Sequence, residues 1–203
     1  VLSNLGSKSW SIGDTAGNAI QEKIEKNGIL VIDLDVKINF GIKTGFNEAF
    51  IIDTETKNQL VKADKKNAKI IKPMLGGRDL KKYSYHWDAK WILYMHSKIK
   101  QSDYPELTDH LRKHKSKLKA RLGGANSRGE VPYEWWQLQV DYYNSGAYKN
   151  FDKPKIIWGE IADTAKFAYD DQGYFPEATT FIMTGANLKY LLSIFNSTAS
   201  LWY

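Results

Sequence analysis

The sequence predicts a mixed α/β (α+β) domain, on three observations. Apolar spacing switches along the chain between the helical period and short β-branched, partly alternating runs. Glycine-bearing turns separate those runs, as in hairpins. At 203 residues the chain suits one large domain or two small lobes.

Residues 14–28 are the first expected helix, with Asp14 as cap, Ala16, Ile20 and Ile24 as the apolar stripe, and Asn27-Gly28 as the stop. ILVIDLDVKINF then predicts a strand or two. GIKTGFNEAFIID predicts a strand–loop–strand unit, glycines 41 and 45 bracketing a turn and Ala49 to Ile52 entering the second strand. A helix after Asp53 should bury Leu60, Val61, Ala68, Ile70 and Ile71 and end at Pro73. The Gly76-Gly77 pair forces a turn before a cationic stretch, and KWILYMH is the next strand. A long helix is predicted from Tyr104 to Leu122, with Leu107, Leu111, Leu118 and Leu122 on one side. Residues 123–132 are the most linker-like stretch, and YEWWQLQ predicts a short helix. KPKIIWGEI is a buried strand opened by Pro154. KFAYDDQGYFPEATTFIM predicts a hairpin around Asp171-Gln172-Gly173, and a final apolar helix is capped by Asn187.

The composition narrows the function classes. No cysteine is present, so disulfides and thiolate metal sites are excluded, and the chain is compatible with a reducing cytoplasm, its expected location. No apolar run approaches the ~18–20 residues of a membrane span. The start, VLSNLGSKSW, lacks a signal sequence, and SLWY stops within a helical pattern, so both ends are expected to be cuts in a longer chain. His110 and His114 share a helix face, but no carboxylate completes a metal site and their surroundings are cationic. Nucleotide-binding, hydrolase and zinc-protease motifs are missing, as is the Pro-Pro loop with which an amino-methyltransferase grips its base. Glu55-Thr56-Lys57 with Asp33 or Asp35 upstream is a poor version of a PD-(D/E)xK Mg²⁺ nuclease centre, because the triplet begins a polar helix. No catalytic centre is therefore expected in this chain.

The positive signal is basic residues interleaved with aromatics. Net charge is +6 and aromatics are 13% of the chain, a balance that favours polyanions. Arg78, Lys81, Lys82, Tyr83 and Tyr85 follow the glycine pair, where cations can reach phosphates and arginine can bond a guanine edge. Lys43, Thr44, Asn47 and Glu48 occupy a glycine-bracketed loop that allows close approach to nucleic acid. The 104–122 helix carries six cations against two carboxylates, a formal +4, and serves either as a DNA backbone support or as a solvated outer face. Of the adjacent Trp135 and Trp136, one is expected in the core and the other at a surface or interface.

These segments, in order, carry a family resemblance. GIKTGFNEAFIID, IIKPMLGGRDLKKYSYHW, YPELTDHLRKHKSKLKAR, YEWWQLQ, KPKIIWGEI and LLSIFNSTASLWY together resemble the TaqI-like C-terminal specificity domain of bacterial adenine-N6 DNA methyltransferases and fused restriction–methylation enzymes. The resemblance spans roughly residues 36–203, leaving 1–35 as an N-terminal helix and lead-in from the parent chain. It implies a target-recognition domain similar to type I restriction specificity subunits, with a mixed sheet, hairpins and flanking helices. It further implies double-stranded DNA as a partner, beside a separate N-terminal methyltransferase domain that binds S-adenosylmethionine and receives the flipped adenine. Two cations of the family pattern are missing: Gly76-Gly77-Arg78-Asp79 stands for Arg-Gly-Arg-Asp, and Trp135-Trp136-Gln137-Leu138-Gln139 for Trp-Trp-x-Leu-Arg. The expected DNA contacts are Lys43, Thr44, Asn47, Arg78, Lys81, Lys82 and Tyr83, with Arg78 and Asn47 as base readers. The competing classes are the nuclease fragment and a non-catalytic protein-interaction scaffold.

Overall fold

Short β-branched segments assemble into two four-stranded sheets in the computed structural model, which describes residues 15–122, 133–162 and 164–202. The chain runs through α1 (Thr15–Asn27), β1 (Val36–Phe40), α2 (Asn47–Phe50), β2 (Ile51–Ile52), α3 (Thr54–Ala63) and β3 (Ile71–Leu75). A small hairpin follows, β4 (Leu80–Lys81) and β5 (Ser84–Tyr85), then β6 (Trp91–Leu93), α4 (Pro105–Arg112) and α5 (Lys115–Ala120). The last part holds β7 (Lys155–Gly159), β8 (Ala168–Asp170), β9 (Phe175–Pro176), β10 (Thr180–Gly185), α6 (Leu188–Phe195) and α7 (Thr198–Trp202).

The first sheet has the order β1-β10-β7-β8, with every pair antiparallel. Its inner strands β7 and β10 are buried on both faces, whereas the edge strand β1 leaves Ile38 and Phe40 exposed. Ile157, Ala168 and Ile182 face the main core, whereas Ile156 and Met183 lie under Leu188, Leu191 and Leu192 of α6. Asn196, fully buried after α6, donates to the Phe167 carbonyl at 2.8 Å and accepts from its N–H at 3.2 Å, tying the helix end to the sheet. The second sheet, β2-β6-β3-β9, is mixed: β9 runs parallel to β3 and the other pairs are antiparallel. Phe50, Ile92, Leu93, Leu107, Leu111 and Leu118 fill the core against it. The mixed α+β class with flanking helices is thus as the sequence predicts.

Several elements differ from their sequence reading, each for a local reason. The helix after Asp53 is capped there, with Thr56 N–H on the Asp53 carboxylate at 2.7 Å, but it stops at Ala63. Asp64 takes the Lys66 N–H at 2.8 Å and the Asn67 amide takes the Leu60 carbonyl at 2.9 Å, so side chains compete with helix bonds. Ile70 and Ile71 then enter β3, with Pro73 inside the strand. Met74 N–H bonds the Lys90 carbonyl, so the Pro73 nitrogen points away from β6 to a side where β9 joins only from Met74 onward.

The 104–122 helix is two helices, because between Leu111 and Leu118 no apolar side chain anchors the intervening turn to the core. Around Asp171-Gln172-Gly173 there is a turn but no local hairpin: β8 pairs with β7, β9 crosses to the second sheet, and β10 returns between β1 and β7. Asn187 sits in the left-handed region (φ 54°) and makes no side-chain cap. Ile20, placed on the buried stripe of α1, is 50% exposed. The linker-like stretch 123–132 lies outside the described residues.

Candidate nucleic-acid interface

Three loops converge at one edge of the fold. The first leaves β1 through Gly41, whose N–H bonds the Thr180 carbonyl and whose missing side chain leaves room for the Glu177 backbone. It then bends at Gly45 (φ 74°) into α2. The second loop is the Gly76-Gly77 turn after β3. The third, Glu177–Thr179, joins β9 to β10, and the Thr179 hydroxyl accepts the Gly77 N–H at 3.2 Å.

Side chains lock the three together. The Thr44 hydroxyl donates to Asn47 Oδ1 at 2.5 Å and accepts the Phe46 N–H at 3.1 Å. Asn47 Nδ2 donates to Glu177 Oε1 at 2.9 Å. The buried Asp79 carboxylate accepts the Gly76 N–H at 2.7 Å, with Lys90 at 3.9 Å. Of the sequence-predicted contacts, Thr44 is therefore buried and spends its hydroxyl on the turn, while Asn47 is exposed but held in one orientation.

Lys43, Arg78, Lys81, Lys82 and Tyr83 are all exposed. Arg78 sits on the tight turn Gly77–Asp79, and Lys82-Tyr83 form the two-residue tip of the β4–β5 hairpin, Tyr83 at φ 69°. Tyr83 N–H bonds the Phe167 carbonyl at 2.9 Å, which fixes the tip beside β8. Among the described residues, none of Lys43, Arg78, Lys81 and Lys82 forms an ion pair. These four cations are open to an external anion.

The cations of the basic helices are used differently. Arg121 is mostly buried: its guanidinium bonds the carbonyls of Thr44, Trp135 (2.9 Å) and Gln137, and lies 5.0 Å from the rings of Phe50 and Tyr133. Burial pushes its pKa down to about 10, so it stays charged at neutral pH. It staples the Lys43–Asn47 loop to the Trp135–Gln137 segment from beneath. It also takes carbonyls that a helix would need, and YEWWQLQ is accordingly a turn, braced by Gln137, which accepts the Glu134 N–H and donates to Ser97. Trp136 is in the core, and the partly buried Trp135 packs against it under Lys115. Lys117 pairs with Glu48 at 3.6 Å and Arg112 with Asp109.

One buried pair gives no hint of itself in the sequence. Lys155 and Asp170, both fully buried, form an ion pair between β7 and β8, and Asp170 also accepts the N–H groups of Gln172 (2.9 Å) and Tyr174 (3.1 Å). Burial lowers the Lys155 pKa, and the Asp170 carboxylate opposes that shift. The nuclease triplet is dispersed: Glu55 is exposed on α3, Lys57 lies 4.6 Å over the Trp91 ring, and Asp33 and Asp35 precede β1 in the other sheet. Among the described residues no three His, Asp or Glu side chains gather in a metal-sized group, and the rings of His110 and His114 are 6.3 Å apart.

Comparison with known proteins places this architecture. The model of the TaqI-like C-terminal specificity domain matches residues 72–203. Among solved structures, the chain is similar to the type IIL restriction-modification enzyme MmeI in complex with DNA. The TM-score is 0.56 and the identity 13%, over 82% of this chain and 21% of that one. A second similar structure is the type IIG restriction endonuclease BpuSI, with a TM-score of 0.48 and 16% identity, over 90% of this chain and 22% of that one. The chain thus spans about a fifth of the length of the structures it matches.

Proposed function

This chain belongs to the TaqI-like C-terminal specificity domain family, and from that premise we propose that it reads a target sequence in double-stranded DNA for a bacterial restriction–modification enzyme. The observation that carries the reading is the set of exposed cations Lys43, Arg78, Lys81 and Lys82, none in an ion pair among the described residues, on loops fixed by glycines and buried polar bonds. Cations without an internal partner are available to phosphates, and rigid loops hold base-reading side chains in register. On this reading Lys43, Lys81 and Lys82 anchor phosphates, Tyr83 packs at the hairpin tip, and Arg78 and Asn47 address base edges. Thr44 acts through Asn47, orienting its amide.

On this reading the recognition unit runs from residue 36, where β1 pairs with β10, and residues 1–35 are its lead-in. Catalysis is assigned to that parent, an adenine-N6 DNA methyltransferase whose preceding domain holds S-adenosylmethionine in the cytoplasm. This domain contributes the sequence preference.

The test is fluorescence anisotropy of a labelled mixed-sequence duplex titrated at several salt concentrations. Binding should weaken steeply with salt, and Arg78→Ala with Lys82→Ala should reduce the log–log slope by about 1, the share of the phosphate anchor Lys82. An unchanged slope would move the contact surface elsewhere. No binding at about 20 mM salt, below the range where such contacts weaken, would favour the scaffold reading.

A further inference from the structure

We infer that Glu177 reads a base, accepting a hydrogen bond from the exocyclic amino group of a cytosine or adenine in the DNA major groove. The inference rests on the DNA-recognition reading above and adds a residue of opposite charge to its cationic surface. Glu177 lies in the loop between β9 and β10, flanked by the Lys43–Asn47 loop and the Gly76–Arg78 turn.

Its backbone is fully committed. The N–H bonds the Leu75 carbonyl at 2.9 Å, and the carbonyl accepts from the Thr180 N–H at 2.9 Å and hydroxyl at 2.7 Å. The side chain therefore leaves a fixed point. One carboxylate oxygen takes the Asn47 amide at 2.9 Å; the other lies over Gly76, 2.3 Å from where a Cβ would stand, so a side chain at position 76 would displace it. Asn47 is itself oriented by Thr44, so the two readers are set as a unit.

The charge balance decides what such a group can meet. Nearby Glu48 has Lys117 at 3.6 Å and Asp79 has Lys90 at 3.9 Å. Glu177 is partly exposed, and among the described residues no cation lies within 4.0 Å of it. A carboxylate offers about four acceptor sites, of which Asn47 fills one. Phosphates repel it. In the major groove the donors are cytosine N4 and adenine N6, so an ordered acid among phosphate-binding cations matches a base edge.

The experiment selects binders from a duplex library with a randomised centre, using the 203-residue chain as wild type, Glu177→Gln and Glu177→Ala, with thermal unfolding of each. The wild type should enrich a motif with one position held to cytosine or adenine. Glu177→Ala should lose about tenfold discrimination at that position, soften the neighbouring position read by Asn47, which loses its Glu177 partner, and keep the rest, with low-salt affinity for unselected DNA equal or higher. Glu177→Gln keeps an acceptor for Asn47 and should shift that position towards adenine, which a carboxamide bonds in two places.

Variants that select the wild-type motif unchanged would overturn the inference. So would a loss spread over all positions with a lowered unfolding midpoint, which marks a loop brace. Salt-sensitive binding by the wild type without selection would overturn it and leave the DNA-binding reading standing; no salt-sensitive binding would overturn both.

Discussion

The β4–β5 hairpin and the α4–α5 helices look alike as strings of Lys and Arg but use their charges in opposite ways. On the hairpin and its preceding turn, Arg78, Lys81 and Lys82 are exposed and without an ion pair among the described residues, Lys82 lying only 5.7 Å over the exposed ring of its neighbour Tyr83. On and after the helices, the largely buried Arg121 is held on four carbonyls, Lys117 is paired to Glu48, Arg112 to Asp109, and Lys115 lies 5.3 Å over Trp135. The richer basic segment therefore has fewer charges free for DNA than its composition implies. Formal charge counts cations; only packing shows which have already been used.

The largest effect is expected at Arg121. Arg121→Ala leaves the carbonyls of Thr44, Trp135 and Gln137 without their donor, and at ~1–3 kcal/mol per unsatisfied buried group the loss should be about 3 kcal/mol or more. Urea unfolding measures it. Arg121→Lys should recover little, because an ammonium cannot span three acceptors in the guanidinium plane. A loss within the ~0.5 kcal/mol usual for surface changes would break the contrast between the regions.

Next comes pH. Burial holds the pKa values of His96 and His110 below the usual 6.5, although Asp141 partly opposes this at His96. Below pH 6.5 the unfolded chain takes up protons that the folded chain refuses, so stability falls as pH drops from about 6.5 through the folded values. Urea midpoints should decline from pH 7.5 to 5.5, and His110→Gln should flatten that decline.

A smaller effect is expected at the hairpin itself. Arg78→Ala with Lys82→Ala should change stability by no more than about 0.5 kcal/mol, since neither side chain has an internal ion-pair partner among the described residues. The same substitutions should weaken DNA binding, which separates a binding role from a folding role. The smallest effect belongs to Lys113→Ala with Lys119→Ala, exposed helix cations, for which the anisotropy salt slope should stay nearly that of wild type. A slope reduced as much as by the hairpin variants would place DNA against the helices as well.

Local chemistry made much of the fold legible. The helix start after Asp53, the leucines at 107, 111 and 118, the Gly76-Gly77 turn and the β7 strand stand where propensity and spacing put them. In each case the cause lies within a few residues. Projection of Arg78 was readable from the Gly76-Gly77 turn, whereas the β4–β5 hairpin whose tip exposes Lys82 and Tyr83 was not.

What the sequence by itself determined is thus the class of the domain, its positive charge and the local identity of its turns. The tertiary structure decided pairing. It sent β9 to the second sheet and β8 to β7, turned Arg121 into a buried staple, joined Lys155 to Asp170, and brought Glu177 to Asn47 across 130 positions of chain. Helix caps and turns are chosen by neighbours in sequence. Strand partners and buried polar contacts are chosen by whichever distant groups the packed core leaves within hydrogen-bond reach, and no local pattern encodes that choice.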